Sequence, residues 1–85
     1  MAEVEIGIIE NYFDKIGVGA ITITDGELMK GDTIHIKGHT TDFTVTVESM
    51  QIEHQAVEKA KKSDSIGIKL GERARRHDKV YKVTD

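Results

Sequence analysis

Along most of the chain, apolar residues recur at every second position. Val4, Ile6 and Ile8 alternate with Glu3, Glu5 and Gly7, the pattern of a strand with one face in a core and the other in water. Ile9 breaks the alternation, so the strand is expected to bend there or to be covered on both faces. After a connector over residues 11–17, residues 18–24 place Ile21 and Ile23 on one face and Ala20, Thr22 and Thr24 on the other. Gly17 and Gly19 mark a sharp bend or the close approach of a neighbouring strand. Asp25-Gly26 and Lys30-Gly31-Asp32 are turn signals, with Leu28 between them directed to the core. Residues 33–37 put Ile34 and Ile36 inward and His35 outward. A polar loop over 38–42 then leads to Phe43, Val45 and Val47 on one face.

At Glu48-Ser49 the phase slips to Met50 and Ile52, as a β-bulge inside one long strand would make it. Val57 and Ala60 stand at i, i+3, the spacing of one helical turn over residues 57–62, too short to persist alone. Ile66, Ile68 and Leu70 alternate again, residues 73–78 are polar and basic, and residues 79–83 make the last strand. About six short strands separated by frequent turn signals predict an all-β domain. Closure into a small six-stranded barrel would remove exposed edges.

Composition narrows this. The chain has 85 residues and no cysteine, so it reads as one domain, residues 1–85, with neither a disulfide framework nor a thiolate zinc site. A domain of this size buries only about 60–65% of its unfolded surface. The aromatics are Tyr12, Phe13, Phe43 and Tyr81, so the core is expected to be rich in Val and Ile. The first residues carry no basic and apolar run of a signal peptide, and no window is apolar enough to span a bilayer. The cytoplasm is therefore the expected location, with no membrane partner.

The formal net charge is −3, which argues against a dedicated nucleic-acid binder held by phosphate contacts. The charge is unevenly placed. Residues 1–14 hold Glu3, Glu5, Glu10 and Asp14 and no Lys or Arg. Residues 69–82 hold Lys69, Arg73, Arg75, Arg76, Lys79 and Lys82 against Glu72 and Asp78. Such asymmetry points to a basic patch or charged docking face, or to an edge strand protected by lysines.

Three segments in register resemble the second, β-barrel domain of elongation factor Tu. Gly26-Glu27-Leu28-Met29-Lys30-Gly31-Asp32-Thr33-Ile34 is similar to its G-x-[LI]-x-x-G-[DE]-x-[VI] hairpin. Ser49-Met50-Gln51-Ile52-Glu53-His54 resembles a strand of that domain, V-x-S-[VI]-[EQ]-M-x-x. Ala60, Ser63, Asp64, Ile66 and Gly67 follow its A-x-x-G-[DE]-x-[VI]-G connector. A similar barrel is also appended to collagenase-like peptidases. The resemblance implies a closed six-stranded Greek-key barrel of the translation-factor type, in the manner of free-standing elongation-factor-like proteins.

It also implies a function: a non-catalytic module engaging tRNA, rRNA or a ribosome-associated protein. Gln51 matches a Glu near the terminal adenine of aminoacyl-tRNA, and Ser65 matches an Asn near the aminoacyl group. Ser63 replaces the connector's glycine. Gln51, Ser65, Arg73, Arg75, Arg76 and Lys79 are thus the candidate contacts for RNA or a partner. The alternative is a protein–protein adaptor barrel related to the C-terminal domain of collagenase-like peptidases. No GxxxxGK[ST] phosphate loop is present, so GTP binding by this chain is not expected. His35 and His39 run from a strand into a loop and lack the helical spacing of a metal pair. No carboxylate pair has a companion nucleophile. Catalysis, metal and cofactor are all unexpected.

Overall fold

The computed structural model describes residues 2–84; Met1 and Asp85, which the sequence reading includes in the domain, lie outside the described residues. The ten strands are β1 (Ala2–Phe13), β2 (Val18–Ile23), β3 (Glu27–Met29), β4 (Thr33–Lys37), β5 (Asp42–Thr46), β6 (Met50–Ile52), β7 (Gln55–Val57), β8 (Lys59–Lys61), β9 (Ser65–Lys69) and β10 (Lys79–Thr84). Among the described residues there is no helix, so the all-β expectation stands. Eight strands form one antiparallel sheet in the order β5-β4-β10-β1-β2-β9-β6-β7, and β3 and β8 make a separate ribbon. The end strands β5 and β7 do not pair with each other among the described residues, so no ladder closes the sheet.

The sheet must nevertheless curl, because inward residues from nearly every strand meet in one core. Ile6, Ile9, Ile21, Ile23, Ile34, Ile36, Ile66, Ile68 and Val80 come from the large sheet, and Leu28 and Ala60 from the ribbon. The long strand β1 is the spine, paired with β10 on one side and β2 on the other. Its register shifts between Glu5 and Gly7 against β10, and between Ile9 and Asn11 against β2. The first shift, one extra residue at Ile6, explains the broken alternation: Ile6 and Ile9, three apart, are both buried. Extra residues of this kind bend and twist a strand, which lets the sheet wrap. Gly7 lies between the two shifts, and a Cβ there would stand 2.5 Å from the carbonyl oxygen of Thr22. Only glycine allows β1 and β2 to approach so closely.

Two local expectations are corrected. The segment expected as one bulged strand through Glu48-Ser49 is two strands, β5 at one edge of the sheet and β6 near the other. The change of phase marks the crossing. Val47 is fully buried, its N–H donates to Asp32 O (2.8 Å) and its carbonyl accepts from Gly31 N (2.8 Å), which carries the pairing with the residues before β4 one position past β5 before the chain leaves for β9. The helical turn expected over residues 57–62 is absent. Instead β8 pairs with β3, setting Ala60 opposite Leu28, both fully buried, with Lys59 Nζ 2.6 Å from Glu27 Oε2 outside. Between β6 and β7 a two-residue turn, Glu53-His54, has φ of 51° and 67°. Paired positive φ is the geometry that matches the twist of a tight hairpin.

Candidate protein-docking site

Two surfaces flank the tip of the β1–β2 hairpin. The first is a groove of about 410 Å3 on the outer face of the sheet. Along β2 the outward residues are Val18 and Ala20, and along β9 they are Ser65 and Gly67. Ala20 lies opposite Gly67, and Gly67 opposite Gln51 of β6. Small residues at the centre of this face leave a trough. Phe13 and Ile16, from the hairpin tip, form one wall, and Glu53 and His54, from the β6–β7 turn, are on the other. Phe13 is 46% exposed and Ile16 63% exposed, a high outlay of apolar surface for so small a domain.

The tip is held firmly. Phe13 O accepts from Ile16 N (3.2 Å) and Gly17 N (2.8 Å), and Gly17 O accepts from Leu70 N (2.8 Å). Phe13 and Ile16 are therefore presented on a tied turn. Gln51 and Ser65, singled out from the sequence, do come together here, lining one groove. Ser65 Oγ lies 3.4 Å from Thr22 Oγ1, so its hydroxyl neighbour is another hydroxyl. In the sequence Phe13 stands out only as one of four aromatics, and Ile16 does not stand out at all. The available signal was two large apolar side chains in residues 11–17, expected as a connector; β1 in fact runs on to Phe13 and only residues 14–17 form the turn.

The second surface is a notch of about 270 Å3 lined by Asn11, Tyr12, Asp14, Arg73, Arg75 and Arg76. Its loop is braced from beneath. Asp78 is buried, and its Oδ2 accepts from Arg75 N (2.8 Å); His77 N donates to Ile9 O (2.8 Å) and Ile9 N to Asp78 O (2.8 Å). Gly38 packs directly on the Asp78 carboxylate, where any Cβ would collide. Arg76 Nε donates to Glu10 O (3.0 Å), and Arg73 Nε stands 3.8 Å from Asp14 Oδ1. Lys79 is not part of this cluster: its Nζ lies 3.3 Å from Glu5 Oε2. The charge asymmetry of the sequence is thus partly neutralised within the fold, because β1 and β10 are antiparallel neighbours.

Elsewhere, His35 spans three strands. Its Nδ1 lies 2.9 Å from both carboxylate oxygens of Glu3 on β1, and its Nε2 2.5 Å from Asp42 Oδ1 on β5. The Glu3 bond, then the Asp42 bond, hold the imidazole pKa above its usual value, and the His35 bond holds Asp42 below its own. A Lys59 hydrogen bond likewise lowers Glu27. Among the described residues no three His, Cys, Asp or Glu side chains converge as metal ligands. No described helix is long and apolar enough to cross a membrane.

The chain's similarities to known proteins point in one direction. It is 42% identical over 80 residues, 93% of its length, to an uncharacterised protease of Methanocaldococcus jannaschii. It is 43% identical over 72 residues to a collagenase of Porphyromonas gingivalis. The chain spans only about one fifth of the length of these relatives, 19% and 20%. Among solved structures it matches the C-terminal domain of a Geobacillus thermoleovorans protein described as a U32 peptidase. That match has a TM-score of 0.88 at 15% identity and covers 95% of this chain and 93% of that one. No protein-family model matches.

These findings correct the sequence reading. The chain is similar to protease and collagenase sequences and shares the fold of a peptidase C-terminal domain, and none of these relatives is an elongation factor. The reading as a translation-factor-like, RNA-binding module falls with it. The alternative, a domain related to the C-terminal part of collagenase-like peptidases, is the one supported. The motifs behind the resemblance are mostly turns and strand re-entries, which specify backbone and not ligand.

Proposed function

We propose that this chain is a non-catalytic docking domain of the collagenase-like peptidase kind, and that the groove beside Phe13 and Ile16 binds a polypeptide. The observation that carries the reading is the extent of the similarity: nearly the whole chain matches one fifth of much larger proteases. A domain that accompanies a larger protein fits a binding role, and the groove supplies a rigid apolar anchor site of the kind found at the centre of protein interfaces. The remainder of a collagenase-like peptidase is the partner this favours. A non-catalytic role is supported by Ser65, whose hydroxyl faces Thr22, and by His35, whose two nitrogens are both engaged by carboxylates. In this reading the curled sheet acts as a barrel-like closure: Val47, just after β5, bonds to Gly31 and Asp32, and Glu58 O, just after β7, accepts from Lys30 N, so both ends of the sheet reach the β3–β4 turn. The domain works in the cytoplasm, an expectation that comes from the sequence alone.

The test is calorimetry of this chain against a purified collagenase-like peptidase lacking its own matching segment. Saturable binding, lost in a Phe13→Ser/Ile16→Ser variant that melts like the parent, is the expected result. Binding unchanged by that double substitution, or none at all, would refute the reading.

A further inference from the structure

The basic notch is the feature that a purely apolar docking surface leaves unexplained. Three arginines converge on it, with Asp14 as the single carboxylate, in a chain whose net charge is −3. We infer that this notch receives the side-chain carboxylates of an acidic polypeptide segment; the inference rests on the docking reading and names the chemistry of the partner beside its apolar anchor.

The donors are arranged for such a ligand. Arg76 is positioned by its Nε bond to Glu10 O, which leaves the terminal guanidinium nitrogens for another acceptor. Arg73 is only loosely engaged by Asp14, at 3.8 Å between two well-exposed side chains. Among the described residues the Arg75 guanidinium has no ion-pair partner. Asn11 Oδ1 accepts from Tyr12 N (2.9 Å), so its amide NH2 remains as a further donor. Arginine forks match carboxylates two bonds at a time, with shorter and stronger contacts than neutral pairs. The loop that carries them is fixed by Asp78 and by the two bonds to Ile9, so little ordering is required on binding.

Geometry ties the notch to the groove. Asn11 and Tyr12 lie immediately before Phe13, and Asp14 immediately after it, so the two surfaces share one hairpin tip. A segment with an apolar residue in the groove and acidic residues next to it would engage both. This is the usual anatomy of an interface, an apolar centre with a charged rim. A nucleic acid fits less well. Its phosphates need a continuous cationic track, whereas the three arginines here are confined to one small notch and Lys79 is drawn away to Glu5.

The test uses a capped hexaglutamate peptide as probe on the full chain, followed by amide NMR shifts. An oligoribonucleotide of matched charge and inorganic phosphate form parallel arms. The expected result is that the peptide shifts Asn11, Tyr12 and residues 73–76. Arg75→Gln should weaken binding about fivefold, the scale of one exposed charge pair at its upper end, while Lys61→Gln on the remote ribbon leaves it unchanged. Unfolding midpoints of both variants confirm that the fold is retained. The inference is overturned by silence at those residues, by equal binding to Arg75→Gln, by tighter binding of the oligoribonucleotide, or by phosphate reproducing the same shifts. If these fail while peptidase docking still depends on Phe13 and Ile16, only the acidic-segment assignment falls. If peptidase docking is absent altogether, the partner named here falls with the docking reading.

Discussion

Replacing Ser63 by glycine should stabilise the protein, although it removes a side chain. Ser63 is exposed and has φ of 81°. The conformation is imposed by its surroundings: Ser63 N donates to Ile23 O (2.8 Å), Asp64 N to Lys61 O (2.9 Å), and Lys61 N to Asp64 Oδ2 (2.9 Å). A left-handed backbone costs an L-residue about 1–2 kcal/mol through Cβ crowding. Glycine avoids that cost but loses roughly 0.4–1 kcal/mol through its freer unfolded chain. The net gain is about 0.5–1 kcal/mol, and a domain of this length gains about 4–8 °C in melting temperature per kcal/mol.

The assay is urea and thermal unfolding of Ser63→Gly beside Ser63→Ala. The alanine variant keeps the Cβ and loses only an exposed hydroxyl, so it should stay within about 0.5 kcal/mol of the parent. Glycine should raise the midpoint with an unchanged slope, since the slope follows the surface exposed on unfolding. If alanine and glycine are equal, or if glycine destabilises, backbone strain at Ser63 is not the explanation and the hydrogen-bonded turn is relaxed as it stands.

Four further outcomes are expected. Gly7→Ala should destabilise by about 1–3 kcal/mol in chemical denaturation, because the new Cβ meets the Thr22 carbonyl at 2.5 Å and the strands must part. Leu28→Ala, at a fully buried site opposite Ala60, should cost about 2–5 kcal/mol and speed amide exchange in the β3–β8 ribbon first. The His35 clamp should give a pH-dependent midpoint. Its pKa is raised from 6.5, so its contribution is complete below 6.5 and fades as pH rises through the folded value; Asp42 is lowered from 3.8, so its contribution holds above 3.8 and fades as pH falls through its folded value. His35→Gln should flatten the alkaline side of that profile, and NMR titration of the ring should show the raised pKa directly. Finally, the chain alone should release no fragments from gelatin or casein; protein-dependent cleavage would end the non-catalytic reading.

Much of the fold was legible because alternation is a strong signal along strands of five residues or more that carry no bulge; in β1, with its two register shifts, Val4 is exposed and Ile9, not Ile8, is fully buried. Ile21 and Ile23, Ile34 and Ile36, and Ile66 and Ile68 all face the core as their spacing predicts. The three-residue strands β3, β6, β7 and β8 carry too little pattern to read, and a helical spacing of Val57 and Ala60 arose from two strands that happen to follow one another. The phase slip after Val47 was a real signal with two physical sources, an extra residue or a change of neighbour. The pairing of Met50–Ile52 with β7 and β9, and not with β4, decides for the change of neighbour. For the site, Gln51 and Ser65 were placed together by the resemblance, and the fold does bring them to one groove. Lys79 was grouped with the arginines by proximity in sequence, whereas strand pairing hands it to Glu5.

The same physics explains why the resemblance misled about function. The shared motifs centre on Gly26 and Gly31, with φ of 70° and 98°, and on Gly67 opposite Ala20 and Gln51. Those positions answer to backbone demands that any protein with this path must meet. Ser63, the one departure within the connector motif, keeps the left-handed conformation that glycine would hold there. A substitution that preserves the backbone while changing the residue shows that the motif reports on the turn. Phe13, Ile16 and the arginine notch lie outside the motifs' turn positions, on a hairpin tip and a braced loop that the fold leaves free to vary. Function is more readily sought on such parts of a rigid scaffold, which is why the exposed tip, and not the familiar turns, is the place to test.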